Sequence, residues 1–516
     1  MQPIVAYDNP NSSSETPHVI IIGGGISGLS AAFYLQRQAR EAGLALRYTL
    51  IERDARFGGK LVTDTIGEFV VEGGPDSIIT QKPWGVQLAR DLGLDDQLIS
   101  INELPRKVYF LSKGRPRPMP EGMTLIVPTE LWPFLRSPLL SALGKLRMLL
   151  DLVIPPRRGD ADETLADFIR RRFGEEALLK LAEPLLAGIH NSESERQSLL
   201  ATFPRLREIE RQHGSLIRGM RASRRKTEDD RRKTMDDSWA GQSSVVHRPS
   251  PALSAVEGSI VHRSAFVTLK GGIGALADAL VRALDGRLIS GTGVAALDYD
   301  VTAERPYRVR LQNGELLDAD AVITTAPAFN AADLVEGFQP ELAAELRRIR
   351  YVTTGTVSLA YAKREIGQPL DGYGLVIPRT EQRRINAVTI SSAKFAHRAP
   401  DDSLLLRVFV GGSRNPEVAD LDDGPLLELA RAELSDILGI QAAPLWSRIY
   451  RWPRSNPQYD VGHLERMDAL EALCPAGLYL AGSAYRGVGI PDCARQGREA
   501  ATKALALITA QRIERL

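Results

Sequence analysis

The sequence predicts an α/β fold, α+β overall, and three observations carry that prediction. A unit of buried strand, glycine turn and helix stands near the start of the 516-residue chain. A second such unit closes it. Between them lie a leucine-rich helical stretch and a series of short strand-like runs with hairpin signals, which supply a separate antiparallel sheet. A sheet assembled from both ends of the chain, with other units inserted, follows from that order.

Val19-Ile20-Ile21-Ile22 has no alternation, the pattern of a strand buried on both faces of a parallel sheet. Gly23-Gly24-Gly25 turns the chain, residues 26–42 carry a helical pattern through Leu29, Ala32, Phe33 and Leu35, and 46–51 form the next strand, closed by Glu52. Val19 to Leu35 is uncharged, but the glycines interrupt it well short of the roughly 20 apolar residues that a membrane span needs. Residues 128–219 are mostly helical in pattern. Within them 131–154 are rich in Leu, with breaks at Pro133 and Pro138, and 163–186 predict one or two amphipathic helices. Residues 220–263 differ. Arg221 to Asp237 holds seven basic and five acidic residues, and Ser244-Val245-Val246-His247-Arg248 returns as Ser259-Ile260-Val261-His262-Arg263. Two copies make no solenoid, and the apolar content is too low to offset ordering entropy. The stretch therefore reads as a disordered insertion, with a docking segment as the alternative.

Order returns at Val267. Gly271-Gly272-Ile273-Gly274 leads into a helix over 275–284, and strands follow around Ile289, at 308–312 and at 321–325. Asn313-Gly314 marks a hairpin between 308–312 and 316–317. Strand-like runs at 356–361, 385–390 and 404–410 precede a helix over 425–438. The chain ends in a strand at 477–481, a glycine-rich turn and a helix over 493–512.

Composition bounds the function. Lys and Arg number 65 against 64 Asp and Glu, a balance that argues against a nucleic-acid partner. Hydrophobic residues at 43% and charged residues at 25% are ordinary for a soluble globular protein. Cys474 and Cys493 are too few for a disulfide framework and point to a reduced, cytoplasmic compartment. The polar first 18 residues lack the basic and apolar regions of a signal peptide. The seven histidines are scattered without metal-ligand spacing, and no Ser-His-Asp set or paired acid stands out. No metal is expected, and no side chain is named as catalytic.

The chemistry lies in the glycine clusters. Gly23-x-Gly25-x-x-Gly28 follows a buried strand and opens a helix. There the first glycine permits the tight turn, the second lets the backbone approach a pyrophosphate, and the third allows close helix–strand packing. Glu52 lies 24 residues past Gly28, where an acid can hold ribose hydroxyls. Arg56-Phe57-Gly58-Gly59-Lys60 and Glu72-Gly73-Gly74-Pro75-Asp76-Ser77 each read alone as a hairpin turn. Together they imply a long ligand across several loops, which favours FAD over a nicotinamide. Leu478 to Cys493 places a second glycine-flanked helix N-terminus where it could face the N1–O2 end of a flavin, on which negative charge builds during reduction.

These residues carry a resemblance. The sequence resembles the oxygen-dependent porphyrinogen oxidases of haem biosynthesis, protoporphyrinogen oxidases and bacterial coproporphyrinogen III oxidases, within the amine-oxidase-like FAD superfamily. The matching pieces include Gly23 to Gly28, Gly58-Gly59-Lys60, Glu72 to Ser77, Glu183-Pro184, Ala201-Thr202-Phe203-Pro204, Gly271 to Gly274, Pro457-Gln458-Tyr459 with Gly462-His463, and Gly487 to Asp492. The resemblance implies non-covalent FAD held by Gly23, Gly25, Gly28, Glu52, Lys60, Gly74, Ser77, Val294, Trp452, Val488, Gly489 and Ile490. Val294 would meet the adenine end, and Trp452 would lie near the flavin, a core aromatic being its other reading. It also implies a Rossmann-like FAD-binding domain from residues 17–90, 264–330 and 445–516, a substrate domain from 91–127 and 331–444, and a helical subdomain from 128–219. Val108 stands where plant and animal members carry a substrate-binding arginine, so Arg106 or Lys107 would supply that charge. His190-Asn191-Ser192-Glu193 replaces the family's usual run after the Glu-Pro helix.

The implied reaction converts a porphyrinogen, copro- or proto-, to a porphyrin, with O2 as final acceptor and hydrogen peroxide as product. Peripheral contact with the inner face of a membrane, through the leucine-rich helices, and transient contact with the next enzyme of the pathway go with the resemblance. The alternatives are an amine oxidase, a carotenoid-type desaturase or a flavin-binding protein without turnover.

Overall fold

The computed structural model describes residues 16–102, 107–225, 264–367 and 371–515. β1 (His18–Ile22), α1 (Ile26–Glu41) and β2 (Arg47–Glu52) form the expected β-α-β unit. They seed a five-stranded parallel sheet in the order Arg287–Ser290, β2, β1, Ala321–Thr324, Leu478–Leu480. Both of its faces are buried, as the unbroken apolar run of β1 requires. Val19 and Ile21 pack with Leu29 and Ala32 of α1 and with Ala494 and Ala501 of the C-terminal helix Ile490–Arg515. Ile20 and Ile22 pack on the other side with Val309, Ala331 and Leu342.

A seven-stranded sheet forms the second unit, in the order Trp446–Pro457, Tyr351–Ala362, Ser403–Gly411, Ala387–Ile390, Gly374–Val376, Val108–Ser112, Arg115–Pro118. All its pairs are antiparallel except Gly374–Val376 with Val108–Ser112. The helix Asp423–Leu438 covers one face, seating Leu426, Ala430 and Leu434 on Val357, Leu359, Leu406 and Val408. The third unit is helical: Leu131–Arg136, Ala142–Leu149, Leu165–Phe173, a π-helix at Leu178–Ala187 and Pro204–His213 close around Met148, Leu165, Phe168, Ile169 and Leu181.

The expected boundaries shift in four places. Residues 216–225 are helical and Met220 is buried, so the insertion expected from 220 begins no earlier than 226. Residues 226–263, with the near-repeat, lie outside the described residues. The helices Ala328–Val335 and Pro340–Arg347, expected in the substrate domain from 331 onward, cover the second face of the parallel sheet instead. Trp446–Pro457, expected in the FAD-binding domain, is the edge strand of the seven-stranded sheet, where Pro453 and Pro457 cost no ladder bond on the solvent side. The C-terminal helix starts at Ile490, three residues ahead of where its pattern places it. Among the described residues no helix is long and apolar enough to cross a membrane.

Candidate functional site

The loops that leave the carboxyl ends of β1 and β2 bond to each other, at the end where open α/β sheets bind ligands. Gly23 leaves β1 with φ of 101°, a conformation that needs glycine. A Cβ at Gly28 would lie 1.9 Å from the Gly23 carbonyl oxygen, so α1 can approach the turn this closely only with glycine there. Gly25, at the N-cap of α1, makes no side-chain cap, and a Cβ there would meet nothing within 4 Å. Beside the first N–H groups of α1 the place of a Gly25 Cβ is therefore free of protein atoms other than its chain neighbours, which fits a pyrophosphate.

Gly58 donates its N–H to the Gly24 carbonyl at 2.8 Å, laying the second glycine turn beside the first. Glu52 accepts from the Gly24 N–H at 2.7 Å through Oε2 and from the Asp54 N–H at 2.9 Å through Oε1. Each carboxylate oxygen keeps a lone pair for a ribose hydroxyl. The Gly291 and Thr292 N–H groups bond the Asp54 and Glu52 carbonyls, which brings Val294, the first residue of Val294–Tyr299, beside that end.

The next loops lie against the seven-stranded sheet. Gly74 packs on the Lys60 carbonyl oxygen, where a Cβ would lie at 1.8 Å. Burial pushes the Lys60 amine down, and its Nζ donates to the Ser455 carbonyl at 2.6 Å. Trp452 donates its indole N–H to the Gly73 carbonyl at 2.9 Å, and Arg407 donates to the Gly73 and Gly74 carbonyls at 3.1 and 2.6 Å. Ser77 donates to Asp76 at 2.6 Å, and Lys394 donates to both Asp76 oxygens. Burial opposes ionisation of Asp76, but Lys394 and Arg407 outweigh it and hold the carboxyl at about 2. Val488, Gly489 and Ile490 stand past the end of Leu478–Leu480, at the start of the C-terminal helix. Cys493 is buried there, and burial raises its thiol to about 11. It is a neutral thiol at physiological pH.

An open cleft, with about 40 Å³ of enclosed space, lies where the π-helix meets the seven-stranded sheet. Glu183, Asn191, Arg379, Asn386 and Arg414 line it. Arg379 Nε stands 3.3 Å from Glu183, whose carboxyl burial pushes up. Arg414 donates to the Ile377 and Pro378 carbonyls at 2.5 and 3.0 Å. The two arginines belong to no motif and escape sequence reasoning. Only Glu183-Pro184 gives a signal. Lys107, expected to offer the substrate a charge, places its Nζ 2.6 Å from Asp371 in an exposed pair and does not line this cleft. Arg106 lies outside the described residues. Among the described residues no group of His, Cys, Asp and Glu is arranged to hold a metal ion.

The model of the family described as flavin containing amine oxidoreductase matches residues 26–505. A Bacillus subtilis protein named coproporphyrinogen III oxidase is 35% identical, the match covering 95% of this chain and 98% of that one. Its namesake from Propionibacterium freudenreichii is 37% identical, with 96% and 92% covered. A crystal structure from Exiguobacterium sp. 255-15 superposes with a TM-score of 0.80 at 28% identity, over 96% of this chain and all of that one. The chain therefore belongs to the flavin-containing amine oxidoreductase family and is a flavin-dependent oxidoreductase.

Proposed function

We propose that this chain oxidises coproporphyrinogen III to coproporphyrin III at a non-covalently bound FAD, with protoporphyrinogen IX the poorer substrate. The carrying observation is the near full-length similarity, at 35% and 37% identity, to two proteins bearing the coproporphyrinogen III oxidase name. Gly23, Gly25, Gly28, Glu52, Val294, Lys60, Gly74, Ser77, Trp452, Val488, Gly489 and Ile490 would hold FAD, from its adenosine to its ring. When bound, FAD supplies two-electron acceptance and O2 its reoxidation, so three rounds account for the six electrons between porphyrinogen and porphyrin. The chain orients the substrate. Arg379 and Arg414 present guanidinium groups to its carboxylates through charge-assisted hydrogen bonds, and burial, by favouring the neutral form of Glu183, lessens its repulsion.

The test is aerobic onset of porphyrin fluorescence with FAD-loaded protein. Faster onset with coproporphyrinogen III than with protoporphyrinogen IX is expected, and no onset above the autoxidation blank with either would sink the proposal. In the same assay Arg379→Ala, at a half-exposed side chain, raises KM for coproporphyrinogen about tenfold and leaves flavin content unchanged. An unchanged KM would remove Arg379 from the substrate site.

The proposal extends to a membrane surface. Leu143, Leu146, Leu150 and Val153 are exposed by 79%, 59%, 42% and 73% at spacings that put them on one side of the helical unit. Trp132, 64% exposed, stands under the Arg136 guanidinium on the same unit. An apolar face with an interfacial aromatic and neighbouring cations suits anionic lipid. Leu143→Glu with Leu146→Glu is expected to cut binding to phosphatidylglycerol vesicles in co-sedimentation by at least tenfold, since each lost leucine removes about 1.5–3 kcal/mol of burial. Equal sedimentation of both proteins would rule this face out.

A further inference from the structure

The turn before the C-terminal helix is held from outside itself. Tyr459, buried just past the edge strand Trp446–Pro457, donates its hydroxyl to the Ser483 carbonyl at 2.8 Å and accepts from the Gly487 N–H at 2.8 Å. Its ring stacks on the His463 imidazole with centroids 3.8 Å apart and planes 15° from parallel. His463, fully buried at the start of the helix His463–Leu473, places Nε2 2.7 Å from the Tyr485 carbonyl. A carbonyl can only accept, so Nε2 carries the proton. Nδ1 has no partner among the described residues, and burial lowers the imidazole to about 4, so the ring is neutral. Two stacked rings thus grip three main-chain groups within five residues, at 483, 485 and 487. Gln496 completes the hold, accepting from the Gly482 and Arg486 N–H groups and donating to the Gly487 carbonyl. The N–H groups of Val488 and Gly489, immediately beyond, keep no partner among the described residues.

We propose that Tyr459 and His463 are positioning residues for the flavin: they staple the 482–487 turn in the shape that directs the free N–H groups of Val488 and Gly489 at it. This rests on the FAD reading above. Those donors act at the N-terminal end of a 26-residue helix, so they favour an electron-rich ring over a neutral one. A loosened turn loses more affinity for reduced than for oxidised flavin, which lowers the reduction potential.

Tyr459→Phe keeps the stacked ring and removes both hydroxyl bonds. The Kd for FAD is expected to rise at least tenfold by fluorescence of released flavin, the visible flavin bands to shift, and the midpoint potential to fall. Each tenfold loss of reduced relative to oxidised binding equals about 30 mV for the two-electron couple. His463→Leu, which breaks the hold at Tyr485 and removes the ring stacked on Tyr459, shifts the potential in the same direction. Tyr479→Phe, which removes a hydroxyl bonded only to the Lys503 carbonyl, changes none of these. Wild-type affinity, spectrum and potential in Tyr459→Phe would overturn the staple while leaving the FAD reading intact. A wild-type chain that takes up no FAD would overturn both.

Discussion

Gly25→Val is expected to yield a folded apoprotein that cannot hold FAD. Gly25 has φ of −73° and ψ of −177°, an extended conformation that a β-branched residue adopts without strain. No protein atom other than its chain neighbours lies within 4 Å of the added Cβ. Nothing in the chain itself resists the substitution, and the apoprotein should melt within about 2 °C of wild type. The only object a side chain could strike is a ligand seated on the N-terminus of α1. A pyrophosphate there would be displaced by the thickness of a methyl group and lose its hydrogen bonds to the free N–H groups. FAD affinity should fall at least 100-fold, about 2.7 kcal/mol. Gly28→Ala makes the contrast. Its Cβ would lie 1.9 Å from a backbone carbonyl oxygen, so the turn must move whether or not a ligand is present, and the apoprotein itself loses about 1–3 kcal/mol. Visible absorbance of the purified proteins, titration with FAD and apoprotein melting separate the two cases. Wild-type FAD binding by Gly25→Val would remove the N-terminus of α1 as the phosphate seat.

That turn is legible in the amino-acid sequence because backbone geometry dictates residue type there: only glycine can stand at 23 and 28, and the run of Val19 to Ile22 announces the strand in front of them. The cleft proposed to hold the substrate is not legible in the same way. Glu183, Arg379 and Arg414 come from three segments, each residue of a type that usually faces water, and the fold alone brings them together. The π-helix that carries Glu183 falls within 163–186, where the pattern predicts amphipathic helix but does not distinguish the wider π turn. The pairing of Lys107 is hidden for the same reason: its partner Asp371 is 264 residues away, so along the chain its charge looks free. Trp446–Pro457 escapes detection because two prolines contradict a strand until the strand is known to be an edge. Sequence patterns carry what is local and backbone-driven, and what depends on tertiary contacts waits for the fold.

Asp151→Ala is expected to unsettle the helical unit while sparing the flavin. Arg172 and Asp151 have fully buried side chains and are ion-paired. Arg172 also donates to the Asp151, Ile154 and Gly214 carbonyls at 2.8, 3.0 and 3.0 Å, and Asp151 Oδ2 accepts from Ser215 Oγ at 2.6 Å and the Ile217 N–H at 3.0 Å. The pair ties the helix Leu165–Phe173 to the segments on either side of it. Removing the carboxylate leaves the buried guanidinium only the longer pair with Glu210, at 3.5 Å, and orphans two further donors, at a cost of about 3 kcal/mol. Asp151→Leu with Arg172→Met removes both charges and should recover part of that loss, because no ion is left unpaired. Since the helix 165–173 packs against the π-helix bearing Glu183, the single variant should raise KM for the porphyrinogen and speed amide exchange across 165–187, with FAD content unchanged. Equal denaturant midpoints for Asp151→Ala and wild type would mean that solvent reaches Arg172 and that the network is not what fixes the helix. A double variant no better than the single would instead locate the loss in the hydrogen bonds of Ser215 and Ile217 rather than in the stranded charge.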